Sequence, residues 1–390
     1  MPHILVLDAN QRSALAVTRS LGRCEQANFT LTTADATPMA LAGQSRYSSA
    51  YLQYPDPAQS PLAFLAWMSE QSQRVHYDLV MPTTEVSSQL LLQHQRQLPA
   101  VRLAFSDFKT VMTLADKVAL VELAMSRGVP VPDTRVVHSA AAINPGQLDY
   151  PVVLKPALSR IFTGDCWLST QVRVLYSEAD WYQALKEAPY LHDHPFMIQA
   201  FIPGHGAGVF CMFKQGQPVR YFAHERLREK PPEGGVSVLS RSVAVDERLQ
   251  KYAEQLLCAV NWHGVAMVEF RVTPEGEPYL MEVNTRFWGS LQLAVDAGVD
   301  FPALLACAEL GYPLPEAESY RVNQRLRWLL GDLDSLYISL KRRGPVSGKL
   351  KRVLSFCGFH PGQRHEVNRW SDLKPALFEL KQYVAALRGK

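Results

Sequence analysis

Cysteine is scarce and scattered. Cys24, Cys166, Cys211, Cys258, Cys307 and Cys357 form no CxxC pair, which removes the spacing of zinc ribbons and dithiol redox sites; several lie in apolar runs, so buried free thiols are expected rather than disulfides. No apolar run reaches the ~20 residues that a bilayer-spanning helix needs. The opening His3-Ile4-Leu5-Val6-Leu7-Asp8 carries no basic leader or cleavage site, so no signal peptide is expected and the cytoplasm is the default compartment. Internal repeats and low-complexity tracts are missing. A net charge of +3 gives the whole chain no pull toward nucleic acid. The first βα turn, Asp8-Ala9-Asn10-Gln11-Arg12-Ser13, lacks the GxGxxG pattern. That counts against dinucleotide binding, because those glycines let the backbone approach a pyrophosphate.

What is present is the composition of a globular protein: 390 residues, 47% apolar and 20% charged, enough for two or three domains. Charge is uneven. From Arg321 onward there are about 15 Lys/Arg against about 5 Asp/Glu, a pattern of either a solvated helical surface or a site for an anionic partner or membrane surface.

The first hundred residues alternate in the βα manner: strands at 4–7, 29–32, 79–81 and 101–104, helices at 13–21 and 61–73, and a loop holding Tyr47, Tyr51 and Tyr54. This predicts an open parallel sheet. Thr83-Thr84-Glu85 follows the third of these strands, where such sheets place ligands; it reads either as a helix cap or as a substrate contact. Asp116 caps a helix over 116–127, ended by Gly128 before Val129-Pro130-Val131-Pro132. From residue 151 the pattern becomes richer in strands: 151–155, 196–200 and antiparallel strands within 209–243, then a hairpin of 264–272 and 278–284. Helices are expected at 178–186, 247–260, 291–297 and 301–310. The basic tail reads as mainly helical, with a loop at 358–362.

The chemistry concentrates in Val268-Glu269-Phe270 and Met281-Glu282-Val283-Asn284-Thr285-Arg286. Strand alternation puts Glu282 and Asn284 on one face. Two carboxylates and an amide oxygen in an apolar setting repel one another and lose hydration unless a cation joins them. Hard oxygen donors suit Mg²⁺ shared with phosphate, and Arg286 can meet a phosphoryl group; the alternative is a buried ion pair between Arg286 and one glutamate. Lys155 ends an apolar strand before Pro156, and Lys117 opens a helix; each suits phosphate oxygens or is an ordinary end-of-element lysine. Met197-Ile198-Gln199-Ala200-Phe201-Ile202-Pro203-Gly204 can offer backbone groups to an adenine edge, or is a strand and a turn. Residues 226–237 gather cations beside a Pro/Gly-rich turn, as a solvated loop or as a lid near a reacting phosphate.

In this order the stretches resemble the ATP-grasp superfamily, particularly its biotin carboxylase and carbamoyl-phosphate synthetase-like branch. They are Asp116-Lys117 with Gly128–Pro132, Tyr150–Pro156, the hinge at 199–202, His224-Glu225-Arg226, Glu269, and Glu282–Arg286. The resemblance covers about 110–311, and more loosely the residues before it. It implies an α/β and α+β protein: a Rossmann-like N-terminal domain (1–112), a two-part ATP-grasp domain (113–311, smaller lobe 113–195, larger lobe 196–311) and a mainly helical basic C-terminal extension (312–390).

The resemblance further implies ATP and one or two Mg²⁺ (or Mn²⁺) as cofactors. Lys117 and Lys155 would contact phosphates, Gln199, Ala200 and Ile202 the base, and Glu269, Glu282 and Asn284 the metal. Arg286 would stand beside the transferring phosphoryl group, and His224 and Arg226 would face phosphate or substrate. Two departures stand out. Residues 156–164 hold few glycines for a phosphate-covering loop, so Arg160 would supply charge there. No glutamate follows the hinge for the ribose, which leaves His205. Trp288, Tyr47, Tyr51 and His224 are candidates to line the substrate pocket. The implied reaction is ATP-dependent ligation of a small-molecule carboxylate to an amine. Alternatives are a bicarbonate-dependent carboxylase or carbamoyl-phosphate-type enzyme, and a nucleotide-binding module without catalysis. A homodimer is compatible with these readings.

Overall fold

The computed structural model describes residues 1–390 except 165, 233, 317, 318, 343, 344, 359, 389 and 390. Glu233, within the expected lid, and Phe359, within the loop expected at 358–362, therefore lie outside the described residues.

The N-terminal strands form a four-stranded parallel sheet in the order Ala50–Gln53, Thr30–Asp35, His3–Val6, Leu79–Met81. The central strand, His3–Val6, is apolar on both sides: Ile4 and Val6 enter one core cluster and Leu5 the other. This is what a strand sandwiched between helical layers requires. Two expectations change here. The tyrosine-bearing loop contains the edge strand Ala50–Gln53. The strand expected at 101–104 is reduced to one bridge, Val80 to Leu103, because the chain soon turns into Phe108–Ala115, a helix the sequence did not announce.

Asp8 ties the strand ends together. It adopts φ 58°, a left-handed conformation that Asp tolerates better than most residues. Its buried carboxylate accepts from Thr83 N and Thr84 N, both at 2.8 Å, from Ser87 Oγ at 2.6 Å and from Tyr54 Oη at 3.1 Å.

A second sheet is antiparallel, in the order Thr134–Val137, Phe196–Ala200, Val152–Pro156, Arg173–Leu175. The third has seven strands: Pro278–Asn284, Gly264–Val272, His205–Lys214, Gln217–Lys230, Val236–Val243, Arg325–Arg327 and Arg364–His365. Residues 226–230, expected in a charged loop, continue the strand Gln217–Lys230. Alternate side chains there find partners in Glu269 and Asp332, so the charges are compatible with pairing.

The basic C-terminal stretch is mainly helical, through Leu329–Lys341, Val346–Cys357 and Lys374–Arg388. It also adds the last two strands of the large sheet. From there it returns to the first helix, Arg12–Leu21. Arg19, 1% exposed, donates to Asp372 Oδ2 at 2.8 Å and to the carbonyls of Glu366 and Val367 at 2.9 Å. No single helix among the described residues is long and apolar enough to cross a membrane. The most apolar pair, Leu291–Ala297 and Phe301–Leu310, meets at 86° and is almost wholly buried.

Cutting the buried clamp by Arg19→Ala removes the cation paired with buried Asp372 and the donors to the carbonyls of Glu366, Val367 and Asp372. We expect a loss of about 3–5 kcal/mol, read as a lower urea midpoint at unchanged slope, with the C-terminal segment released first in limited proteolysis.

Candidate active site

Pairing of Gly264–Val272 with Pro278–Asn284 sets Glu269 directly opposite Glu282 and Asn284 opposite Met267. All three polar side chains therefore share one face, and together with Arg286 they line a cavity of about 370 Å³. Burial pushes the Glu269 carboxyl up, Arg226 opposes this and Glu282 adds to it. Like charges at this spacing need cations, and the protein supplies three nearby. Arg226 Nη2 donates to Glu269 Oε1 at 2.8 Å, Lys117 Nζ lies 3.8 Å from Glu282 Oε2, and Lys155 senses both carboxylates. Asn284 Nδ2 donates to Glu282 Oε1 at 3.1 Å. Among the described residues no three His, Cys, Asp or Glu form a metal cage. Two carboxylates and an amide are instead the sparse oxygen set that fits Mg²⁺ shared with phosphate.

Both lysines reach this cluster from the second sheet and the helix before it. Lys117 is the first residue of Lys117–Ser126, whose first amides are capped by Asp116, and its Nζ donates to Ser159 Oγ at 3.0 Å. Lys155, near the end of Val152–Pro156, is buried with Nζ 3.4 Å from Met281 Sδ. Burial lowers its pKa to about 8, Glu282 pulling it back and Lys117 lowering it further.

Gln199 lies in the strand beside Lys155's and is 2% exposed. Its Nε2 donates to Thr134 Oγ1 at 2.8 Å while its Oε1 is buried without a partner. Buried acceptors are seldom left so. Ala200 N donates to Asp133 O at 2.9 Å, and the Ile202 carbonyl accepts from Arg271 Nε at 2.6 Å. His205 is exposed at the start of the strand His205–Lys214.

His224 is buried with its ring stacked on Phe210 at 4.5 Å, and Nε2 lies 2.8 Å from Ser290 Oγ. Burial, then the neighbouring Arg226, push its pKa down to about 3. It is a neutral hydrogen-bonding group and not a cation. Arg286 donates to Phe287 O at 3.0 Å and to Glu85 Oε1 at 3.4 Å. The Thr83–Glu85 turn is a helix cap, Thr84 Oγ1 accepting from Ser87 N at 3.3 Å, and it also places Glu85 on the cavity wall beside Arg286. Trp288 is a core residue against Phe210 and Phe301, with an edge on the cavity. Tyr47 and Tyr51, expected in the pocket, line neither this cavity nor the larger one beside it, which Tyr54 borders.

A larger cavity of about 590 Å³ lies at the carboxyl ends of the parallel strands, walled by Asp8, Asp35, Glu85, Arg12, Arg160 and Arg286. Arg12, Val236, Arg286 and Gly289 belong to both cavities. Arg12 is the residue sequence reasoning passed over. It ion-pairs with buried Glu366, lies over the Trp328 ring at 4.0 Å, and its Nη2 would be 3.3 Å from a Cβ at position 289. The available signal was its place in the first βα turn, where open sheets bind ligands; its partners Trp328 and Glu366, far along the chain, were not foreseeable.

Residues 192–330 match the family described as ATP-grasp in the biosynthetic pathway with Ter operon. Over these residues, about a third of the chain, the sequence is similar to that ATP-grasp family. It is 25% identical over 246 residues to a Streptomyces coelicolor protein named "Putative D-alanine--D-lactate ligase", covering 59% of this chain and 69% of that one. Its fold is similar to that of the L-amino acid ligase of Bacillus licheniformis, with a TM-score of 0.63, 16% identity, and coverage of 80% of this chain and 75% of that one. It is also similar to N5-carboxyaminoimidazole ribonucleotide synthetase, solved as an ADP complex, with a TM-score of 0.65, 16% identity, and coverage of 91% and 96%.

The lowered Lys155 pKa sets a pH dependence. The ammonium is present below about pH 8 and lost above it, and a phosphate bound beside Lys155 would favour the charged form. ATP affinity should therefore fall as pH rises through about 8, with proton uptake on binding near that pH. Calorimetry in two buffers of different ionisation enthalpy measures both.

Proposed function

We propose that this enzyme uses Mg-ATP to convert a small carboxylate into an acyl phosphate and passes the acyl group to an amine, in the cytoplasm where ATP is present. The observation that carries the reading is the shared face of Glu269, Glu282 and Asn284, opening onto a cavity that meets the larger one through Arg12 and Arg286.

Glu269, Glu282 and the Asn284 amide oxygen would hold Mg²⁺, which when bound supplies charge neutralisation for phosphate oxygens. Lys117 and Lys155 add ammonium charge at the triphosphate. The unmatched Gln199 Oε1 suits the adenine amino group, and main-chain groups at Ala200 and Ile202 border the base. Since the Ile202 carbonyl is already held by Arg271, that oxygen is the less available of these. His205 is left for the ribose.

Arg286 stands where the two cavities meet, placed to steady the phosphoryl group as it leaves ADP and bonds to the substrate carboxylate oxygen. Attack of the amine on the acyl carbon then expels phosphate. Arg12 and Arg160 offer guanidinium groups to the substrate carboxylate, and Glu85 and Asp35 offer carboxylates to an ammonium group. Arg226 balances Glu269 before the ligands arrive. His224, neutral at physiological pH, orients Ser290 and shapes the wall. The protein's share is positioning and electrostatics.

The test is ADP release from Mg-ATP against a panel of L- and D-amino acids, hydroxy acids and amines. We expect release that requires both a carboxylate and an amine. Glu282→Gln should lower it by about 10²-fold or more, the scale of losing one electrostatic contact at a reacting centre, with the fold intact by circular dichroism. AMP as product, bicarbonate alone sufficing, or full activity in Glu282→Gln would each sink the reading.

A further inference from the structure

The helix Lys374–Arg388 and the turn before it carry a surface that the active site does not use. Leu373, Leu377, Leu380, Val384 and Leu387 are all exposed, and their spacing of four, three, four and three places them along one helical face. Lys374, Lys381 and Arg388, also exposed, each follow a stripe leucine by one position and so run along its flank. The opposite face is fastened down: Tyr383 Oη donates to Asp334 Oδ1 at 2.6 Å, Trp328 Nε1 donates to Glu379 Oε1 at 2.7 Å, and Phe378 packs on the core. The stripe therefore faces outward because the helix is anchored, not because it is loose.

Just ahead, Arg369 to Asp372 form a bridged turn that holds Trp370 out, 93% exposed. That turn is fixed by buried Asp372, which accepts from Arg19 Nε at 2.8 Å, Ser45 Oγ at 2.7 Å and Arg46 N at 2.9 Å. An indole held in water by a rigid turn, beside an apolar stripe, has the character of an interfacial anchor.

Charge decides the partner. The acids of residues 321–388 are Asp332, Asp334, Glu366, Asp372 and Glu379, and every one is engaged internally, with Arg228, Lys230, Arg12, Arg19 and Trp328 respectively. What this segment turns outward is cations and apolar side chains, with Lys341 and Lys351 adding to the excess. A second copy of the chain would bring like-charged rows together across a two-fold axis. We propose that this face docks on an anionic lipid bilayer: the stripe and Trp370 enter the headgroup boundary and Lys374, Lys381 and Arg388 meet lipid phosphates and carboxylates. The enzyme would then work as a peripheral membrane protein. The inference does not depend on the substrates proposed above.

The test is flotation of the full chain with phosphatidylcholine vesicles, with and without phosphatidylserine, at low and high salt. The expected result is binding to the phosphatidylserine vesicles alone, weakened by salt, with a blue-shifted tryptophan emission that Trp370→Phe removes. Leu377→Glu/Leu380→Glu should abolish binding. Lys374→Glu/Lys381→Glu should weaken it by about tenfold or more. Both double variants should retain ADP release in solution. No binding, equal binding to neutral vesicles, or a vesicle-free dimer that Leu377→Glu/Leu380→Glu dissociates would overturn the proposal, the last by showing that a second copy covers the stripe.

Discussion

Two carboxylates facing each other across an antiparallel strand pair are the constraint around which the site is arranged. Glu269 and Glu282 repel, and Glu269 is drawn out of water, so the surrounding elements must deliver positive charge to that spot. They do so from three directions: Arg226 from the adjoining part of the same sheet, Lys117 from a helix start, and Lys155 from the second sheet. Lys155 is itself strained by this duty, since its burial lowers its pKa to about 8 while Glu282 only partly offsets the loss. A site that holds carboxylates and ammonium groups in shallow balance is poised for a ligand that brings cation and polyanion together. The Mg-ATP proposed above would be such a ligand.

The second organising feature is the return of the C-terminal segment to the first helix. Arg12 and Arg19, two turns apart on Arg12–Leu21, bind Glu366 and Asp372. Arg19 is wholly structural, satisfied by a carboxylate and three carbonyls. Arg12 differs: its guanidinium lies on Trp328 and also borders both cavities. Residues far apart in the chain thus set the position of one cation where the two cavities meet. A segment that reads as a basic appendage contributes two strands to the main sheet and the partners that hold Arg12 beside the cavities.

Much of this was legible in the sequence because the relevant signals are local. The hairpin at 264–272 and 278–284, the helices at 291–297 and 301–310 and the strand at 196–200 follow from periodicity and turn residues within a few positions. The facing of Glu282 and Asn284 follows from the period of two. Where local signals compete, the reading shifted. The charged residues 226–230 look like loop until Glu269 and Asp332 are seen opposite them. The tyrosine-rich stretch hides the edge strand Ala50–Gln53.

The sequence by itself determined the alternating βα start and the acidic–amide cluster, since each rests on residue type and short spacing, while the wider fold class was implied by the resemblance of the ordered stretches to ATP-grasp proteins. Only the tertiary structure decided which cations answer that cluster, that Tyr54 rather than Tyr47 or Tyr51 borders the larger cavity, that His224 is neutral, and that Arg12 joins the site through Glu366. Those outcomes depend on burial and on contacts between residues tens to hundreds of positions apart. Dielectric environment and long-range partnership are properties of the packed chain, and no local pattern encodes them.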